Sequence, residues 1–315
     1  MRSNSALIFI LGCMTALSPF SIDMYLPAFP ELAQAFDTTV ARVSLSLTGY
    51  FIGLALGQLV YGPLLDRFGR KPPLYVGFLI YILASLGCVA SGSIESFVVL
   101  RVMQAAGGCA AGVAAMAIVR DRFPPQESAK VFSLLILILG ASPLLAPTVG
   151  GYMTTAFGWE SVFLALAGIG SALFVTVLVA LPETHTPDPT VSLKPLPTLR
   201  NFLSILENPY FATYTLSGAV AFSGLFAYLA GSPVIFMKVF QVSAQVYGWI
   251  FALISVGLIG ASQLNVVALK RWSNVKILTT AYFAQALTGI LFAVGTYLNW
   301  YGLEMTILFF FVFLS

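Results

Sequence analysis

The sequence predicts an all-α polytopic membrane protein, and three observations carry that prediction. Charged residues make up only 9% of the 315 positions, 59% are apolar, and the mean hydropathy is +0.93. A water-soluble domain of this length needs about 25% charged residues to clothe its surface. The apolar residues fall in segments long enough to cross a bilayer, which takes about 20 residues at a rise of about 1.5 Å each. The basic residues gather in alternate loops between those segments. Such a composition excludes a soluble enzyme, a nucleic-acid binder and a disordered linker protein.

Nine complete segments lie near 6–26, 42–61, 72–91, 97–119, 131–155, 161–181, 211–236, 246–268 and 274–297, and a tenth begins near Leu303. In hydrocarbon each backbone N–H and C=O must pair within its own segment, so every span is expected to be an α-helix. Arg2 precedes the first span, and Ile10-Leu-Gly-Cys13 resembles the end of a lipoprotein signal. The apolar run continues to Phe20, however, which favours a retained helix. With the N-terminus in the cytoplasm, Arg2, Arg67, Arg70, Lys71, Arg120, Arg122, Lys130, Lys194, Arg200, Lys270, Arg271 and Lys276 fall inside. Only Lys238 and Arg42 then fall outside, with Arg101 within a span. That bias sets the N-terminus inside. Cys13, Cys88 and Cys109 lie within spans without ligand or disulfide spacing, and a lone His185 cannot build a metal site, so neither metal nor cofactor is expected.

Residues 182–209 form the longest polar stretch, and their prolines argue against one continuous helix. Within it Leu199, Phe202, Leu203 and Leu206 share a helical face, which suits a short helix over 198–207 lying on the inner membrane surface. The stretch divides the chain into an N-terminal part, 1–181, and a C-terminal part, 210–315. A shift of 204 residues lays Gly53 on Gly257, Leu65 on Leu269, Arg67 on Arg271 and Phe68 on Trp272. The span–basic loop–span unit at 42–91 thus recurs at 246–297, as in a carrier built of two related halves.

The loop after the second span reads Gly62-Pro-Leu-Leu-Asp66-Arg67-Phe-Gly69-Arg70-Lys71-Pro-Pro-Leu74. Here the chain must reverse within about ten residues, and Gly62 and Gly69 are expected to permit the tight backbone. Asp66 can pair with Arg70, and the fourth span ends on Arg120-Asp121-Arg122. Its plain reading is a basic inner loop that anchors topology. The loop also resembles the signature of the major facilitator superfamily, G-x-L-A-D-R-x-G-R-K-x-x-L, departing only at Leu65. The resemblance implies a twelve-helix carrier in which Gly62, Asp66, Arg67, Gly69, Arg70, Lys71 and Asp121 form a cytoplasmic gate.

The fourth span contains Leu100-Arg101-Val-Met-Gln104-Ala-Ala-Gly107, similar to the R-x-x-Q-G pattern of that family with Ala105 in place of Gly. A guanidinium in hydrocarbon costs several kcal/mol unless it faces a cavity or a partner, and the alternative is an arginine snorkelling to the outer boundary. In the first span, Ser18-Pro-Phe-Ser-Ile-Asp23-Met-Tyr25-Leu-Pro27 sets a carboxyl in an apolar context, the alternative being an acid at the outer rim. Desolvation disfavours a charged carboxylate and a nearby guanidinium favours it, and that competition is what a group loading and unloading protons requires. Asp23 and Arg101 are therefore the candidates for proton coupling. The fifth span, Gly140-Ala-Ser-Pro143-Leu-Leu-Ala-Pro147-Thr-Val-Gly150-Gly151, resembles the antiporter motif G-x-x-x-G-P-x-x-G-G, with Ala146 where Gly is usual. Gly49, Gly53 and Gly57 in the second span form a small-residue stripe expected to serve packing.

Together, Asp23-Met-Tyr-Leu-Pro-Ala-Phe-Pro30, the Asp66 loop, Arg101, Arg120-Asp121 and the Pro147 segment resemble the bicyclomycin/chloramphenicol-resistance branch of drug/proton antiporters. What this implies is a multidrug exporter of a bacterial inner membrane working by alternating access. Its partners would be small amphipathic drugs or metabolites, protons and membrane lipid, with no nucleic acid, and its working unit a monomer. Asp23, Tyr50, Arg101, Gln104 and Tyr228 would line the substrate cavity. Some relatives carry a second acid two turns earlier, where this chain has Thr15, which leaves Asp23 as the embedded acid. An exporter or importer of one specific small metabolite is the alternative on the same fold, and a non-transporting product a third. From Leu303 the last helix extends about 20 Å, short of a hydrocarbon core of about 30 Å, so the sequence reads as a fragment expected not to transport as written.

Overall fold

The computed structural model describes residues 2–194, 197, 203–268, 271–298 and 300–314, and among these no strand occurs. Helix α1 spans Arg2–Asp23, and after a 3-10 turn over Leu26–Ala28 the chain continues as α2, Phe29–Ala35. There follow α3, Val40–Phe68; α4, Lys71–Val89; α5, Ile94–Arg122; α6, Pro125–Phe157; and α7, Glu160–Ala180. After the polar stretch come α8, Pro209–Pro233, with a π turn over Val234–Val239; α9, Ala244–Ala268; α10, Asn274–Tyr297; and α11, Leu303–Leu314. Among the described residues nine helices are long and apolar enough to span a membrane, and Leu303–Leu314 is shorter, as the sequence leads one to expect.

Local chemistry sets the helix ends. Thr39 and Ser93 cap α3 and α5 by accepting the amides of Arg42 and Ser96, each at 3.2 Å, and Asn208 accepts two amides at the start of α8. The first span differs from expectation: it runs Ser5–Ala35, past the end at residue 26. Pro27 and Pro30 stand in the first turn of the 3-10 turn and of α2, where a missing N–H costs nothing, so the helical path continues past the expected end. A second difference concerns the basic loop. Gly62 and Pro63 lie inside α3, which continues to Phe68, and Gly69 alone makes the reversal at φ 85°. Nothing lies within 4 Å of a Cβ built on Gly62, so that glycine serves neither turn nor close contact.

Helix α5 is the most buried of the spans and packs along α3 and α4. Gly49, Gly53 and Gly57 all face it, Gly53 against the Val102 carbonyl, so the stripe does serve packing. At the other extreme, α10 has no buried residue along its most apolar 18 residues, among those described. The offset of 204 recurs in the helix starts: Val40 of α3 matches Ala244 of α9, and α10 begins within one residue of the position that α4 implies. Of the expected surface helix over 198–207, residues 198–202 lie outside the described residues, as does Leu269; residues 203–206 are helical.

Candidate functional site

Two charged centres lie along α5, one around Arg101 and one that takes in Asp121, 20 residues and therefore about 30 Å apart along the helix. The first is Arg101, two turns from the start of α5 and 0% exposed, so it does not snorkel. Its guanidinium carbon lies 4.0 Å from the ring centre of Tyr25, 4.4 Å from that of Tyr50 and 5.6 Å from that of Phe163. It donates to the Gln104 side-chain oxygen and, at 2.9 Å, to the backbone carbonyl of Ser21. Gln104 donates in turn to Ser85 at 2.7 Å, and the Ser21 hydroxyl pairs with Tyr81 at 2.7 Å. Among the described residues no carboxylate pairs with Arg101. The Arg101 Nε and the Tyr50 hydroxyl are buried without a partner.

The chain that reaches Arg101 is the broken end of the first span. Helix α1 stops at Asp23, and the turn that follows delivers Tyr25 over the guanidinium, with its hydroxyl 3.2 Å from Ser46. Asp23 itself is buried at 4% exposure, not at an open rim, and its carboxyl has no hydrogen bond or ion pair among the described residues. Tyr228 of α8 and Tyr247 of α9 lie within electrostatic reach of it. The Tyr228 hydroxyl is likewise buried without a partner, and its ring packs on Phe310 at 4.9 Å and Phe251 at 5.5 Å. The structure therefore brings Arg101, Gln104 and Tyr50 together and sets Asp23 within electrostatic reach of Tyr228, but among the described residues it does not join Asp23 to Arg101 directly.

The fifth-span motif holds this arrangement from behind. Helix α6 runs unbroken through Pro143 and Pro147 for 33 residues, with Gly140 inside it. Gly150 presses on the Met24 carbonyl, so no side chain can be added there without moving the turn after Asp23. A Cβ on Gly151 would stand 2.7 Å from the Ala244 carbonyl, and Thr148 donates to the Gly248 carbonyl at 3.3 Å. The motif thus seats the start of α9 against the break in the first span.

The second centre is Arg70, in the turn between α3 and α4. Its Nε and Nη2 donate to the two oxygens of Asp121 at 2.7 and 3.0 Å, and its Nη1 donates to Asp66 at 2.8 Å. Arg67 donates to the Val191 carbonyl at 2.7 Å, and Lys71 to the Leu178 carbonyl at 3.4 Å. Sequence reasoning missed Glu183, whose carboxylate accepts the amides of Arg70 and Lys71 at 2.9 and 3.0 Å. Burial alone would push the Glu183 carboxyl up, but the backbone donors of Lys71, Arg70, His185 and Thr184 outweigh it and hold it below the usual carboxylate range. Tyr25 was missed as well; it stood in the quoted stretch, but only the break after Asp23 turns it toward Arg101.

A helical bundle of spanning segments with an arginine and a carboxyl sunk among them defines a multi-pass membrane carrier. Residues 11–315 match the family described as the Major Facilitator Superfamily, and the chain belongs to that family of transporters. It is 32% identical over 291 residues to a bicyclomycin resistance protein homolog of Haemophilus influenzae, covering 92% of this chain and 73% of the relative. It is 30% identical to a chloramphenicol resistance protein of Pseudomonas aeruginosa, covering 88% of this chain and 65% of the relative. The chain thus spans about two thirds to three quarters of those relatives' length. A crystal structure of a D-xylose–proton symporter superimposes with a TM-score of 0.71 at 14% identity, covering 98% of this chain and 78% of the other, a likeness of fold.

Proposed function

We propose that the protein is a proton-coupled exporter of small amphipathic drugs, seated in a bacterial cytoplasmic membrane with its N-terminus inside. The observation that carries this reading is the pair of ionisable side chains, Asp23 and Arg101, buried among spanning helices with neither in an ion pair among the described residues. A membrane retains such groups for ion or substrate pathways. The names of the relatives, resistance proteins to bicyclomycin and chloramphenicol, support drugs as the cargo class.

In this reading residues 1–181 and 210–315 are two related halves that rock about a site between them, joined by 182–209. Asp23 takes up the proton. Its neighbours Tyr228 and Tyr247 lie on the second half, so its charge state bears on how the halves meet near the outer end. Arg101 stands one step away, bound to the carbonyl of Ser21 on the same helix, and senses Asp23 through α1 without direct pairing. The unpartnered Tyr50 and Tyr228 hydroxyls are groups that a substrate can satisfy, with Gln104 behind them. The Asp66–Arg70–Asp121 cluster is the cytoplasmic gate. The test is proton release by the purified full-length carrier on adding chloramphenicol. Release is expected from the wild type and not from Asp23→Asn; release unchanged by that substitution removes Asp23 from the mechanism.

A further inference from the structure

The helix that begins at Lys71 has no cap of its own. Arg70, at its N-cap position, makes no capping bond with its side chain, because its guanidinium is committed to Asp66 and Asp121. The first amides of a helix are donors without partners inside the helix, and they favour an anion. Here the anion comes from 112 residues further on: Glu183 spreads its two oxygens over the amides of Arg70 and Lys71. The same carboxylate accepts the amides of Thr184 and His185 at 3.0 and 3.3 Å, so it also folds its own segment into place. Gly69, at φ 85°, leaves room for it, since a Cβ there would stand 3.0 Å from Glu183 Oε2.

The segment after Glu183 continues across the cluster. The Thr184 hydroxyl donates at 3.0 Å to Asp121 Oδ2, the oxygen that also takes Arg70 Nε at 2.7 Å. The Asp188 amide donates to the Asp66 carbonyl at 3.2 Å, and Arg67 donates to the Val191 carbonyl. Residues 183–191 therefore tie together the end of α3, the start of α4 and the end of α5.

We infer that Glu183 is a positioning residue for transport: it fixes the Gly69–Lys71 turn so that the Arg70 fork meets Asp121, and with residues 184–191 it straps the linker onto the gate. This rests on the gate reading given above. The linker that joins the two halves is then a working part of the gate, and the gate turn and the linker move as one body. A carboxylate is required because two divergent amides need two acceptor oxygens. Glutamine keeps the shape but offers one oxygen and turns an NH2 against the other amide.

The test is a double-mutant cycle in the full-length carrier, reconstituted in liposomes, with chloramphenicol-driven proton release as the readout. Glu183→Gln is expected to slow the maximal rate about tenfold while leaving KM within about twofold, since Glu183 does not face the substrate site. In an Arg70→Lys background the same substitution is expected to cost less than about twofold more, because the group it positions is already impaired. Multiplicative losses in the double variant would overturn the inference, because Glu183 would then act independently of Arg70. Arg70→Lys slow and Glu183→Gln at wild-type rate would overturn it too, leaving the gate intact. Arg70→Lys at wild-type rate would instead sink the gate reading, and the inference with it. Should Glu183→Gln fail to fold, Thr184→Val probes the same strap. Its expected loss is about two- to threefold, again non-additive with Arg70→Lys, and additivity there counts against the strap.

Discussion

Arg101 and Arg70 are both nearly sealed from solvent, at 0% and 5% exposure, and they lie at opposite ends of α5, yet the protein neutralises them by different means. Arg70 faces two carboxylates, one of them held by a two-pronged fork. Arg101 faces none; its charge rests on the faces of Tyr25 and Tyr50, with Phe163 further off, and on two neutral oxygens. A guanidinium over an aromatic face gains about 2 kcal/mol when desolvated, so a cage of rings offsets part of the several kcal/mol that burial costs. The difference bears on mechanism. A cation locked to carboxylates reports on the geometry of a joint, as a gate must. A cation held by rings and carbonyls remains open to a carboxylate or substrate that arrives, as a coupling site must.

The largest expected effect breaks the comparison directly. Lysine carries the same charge as arginine but as a compact, strongly hydrated ammonium that cannot stack. At Arg70 two carboxylates remain to receive it, so Arg70→Lys is expected to cost about tenfold in transport rate. At Arg101 no carboxylate waits and the rings lose their planar partner, so Arg101→Lys is expected to cost about a hundredfold. Transport assays on both variants, at matched amounts of folded protein, check the order. Equal losses would show that the cage and the carboxylates are interchangeable.

A smaller effect sharpens what the cage contributes. Tyr25→Phe keeps the ring over Arg101 and gives up only the 3.2 Å contact with Ser46, so a loss of about twofold or less is expected. Tyr25→Leu keeps apolar bulk but removes the π face, and about tenfold is expected from the loss of one desolvated cation–π contact. If the two variants behave alike, the ring acts by filling space and the charge is balanced elsewhere.

The two centres were also unequally legible in the sequence. Asp66 and Arg70 are four residues apart, so one turn and one helix bring them together, and the spans themselves followed from hydropathy and length. Asp121 was within reach because α5 had to end at the basic loop. Arg101 could be named, since an arginine inside a span is rare, but its surroundings could not: Ser21 lies 80 residues earlier near the end of α1, and Tyr25 stands in the turn beyond it, which only the break after Asp23 aims at the guanidinium. The sequence sets a guanidinium and a carboxyl in apolar spans without showing what lies between them: Arg101 rests on the backbone carbonyl of Ser21 and on two rings. Gly62 was assigned to a turn that the chain makes at Gly69 alone, because Pro63 is absorbed by α3. Glu183 gave no local signal, since its partners are backbone amides and carry no side-chain signature.

The smallest expected effect belongs to the carboxylate end and concerns acidity. Burial, the largest single effect on Glu183, would raise its carboxyl, but four backbone donors to the charged form together outweigh it and hold the group below the usual carboxylate range, about 4.3 for a free glutamate. A group whose folded value is depressed contributes stability that is present above the free value and lost as pH falls through the folded one. The strap should therefore be fully fastened at neutral pH and loosen only in acid, below about 4. Thermal melts of the wild type and Glu183→Gln across that range give the measurement. A gap of a few degrees at pH 7 is expected, closing as the wild-type carboxyl takes up its proton and comes to resemble the amide. No such effect acts at Arg101, which among the described residues has no carboxyl in its cage, so the melts of Tyr25→Phe and the wild type should keep a constant separation over the same range. A gap for Glu183→Gln that stayed constant into acid would mean that the bonds to the Arg70 and Lys71 amides do not depend on the carboxylate charge. The contrast between a charge-locked gate and a ring-caged coupling site would then lose its electrostatic basis.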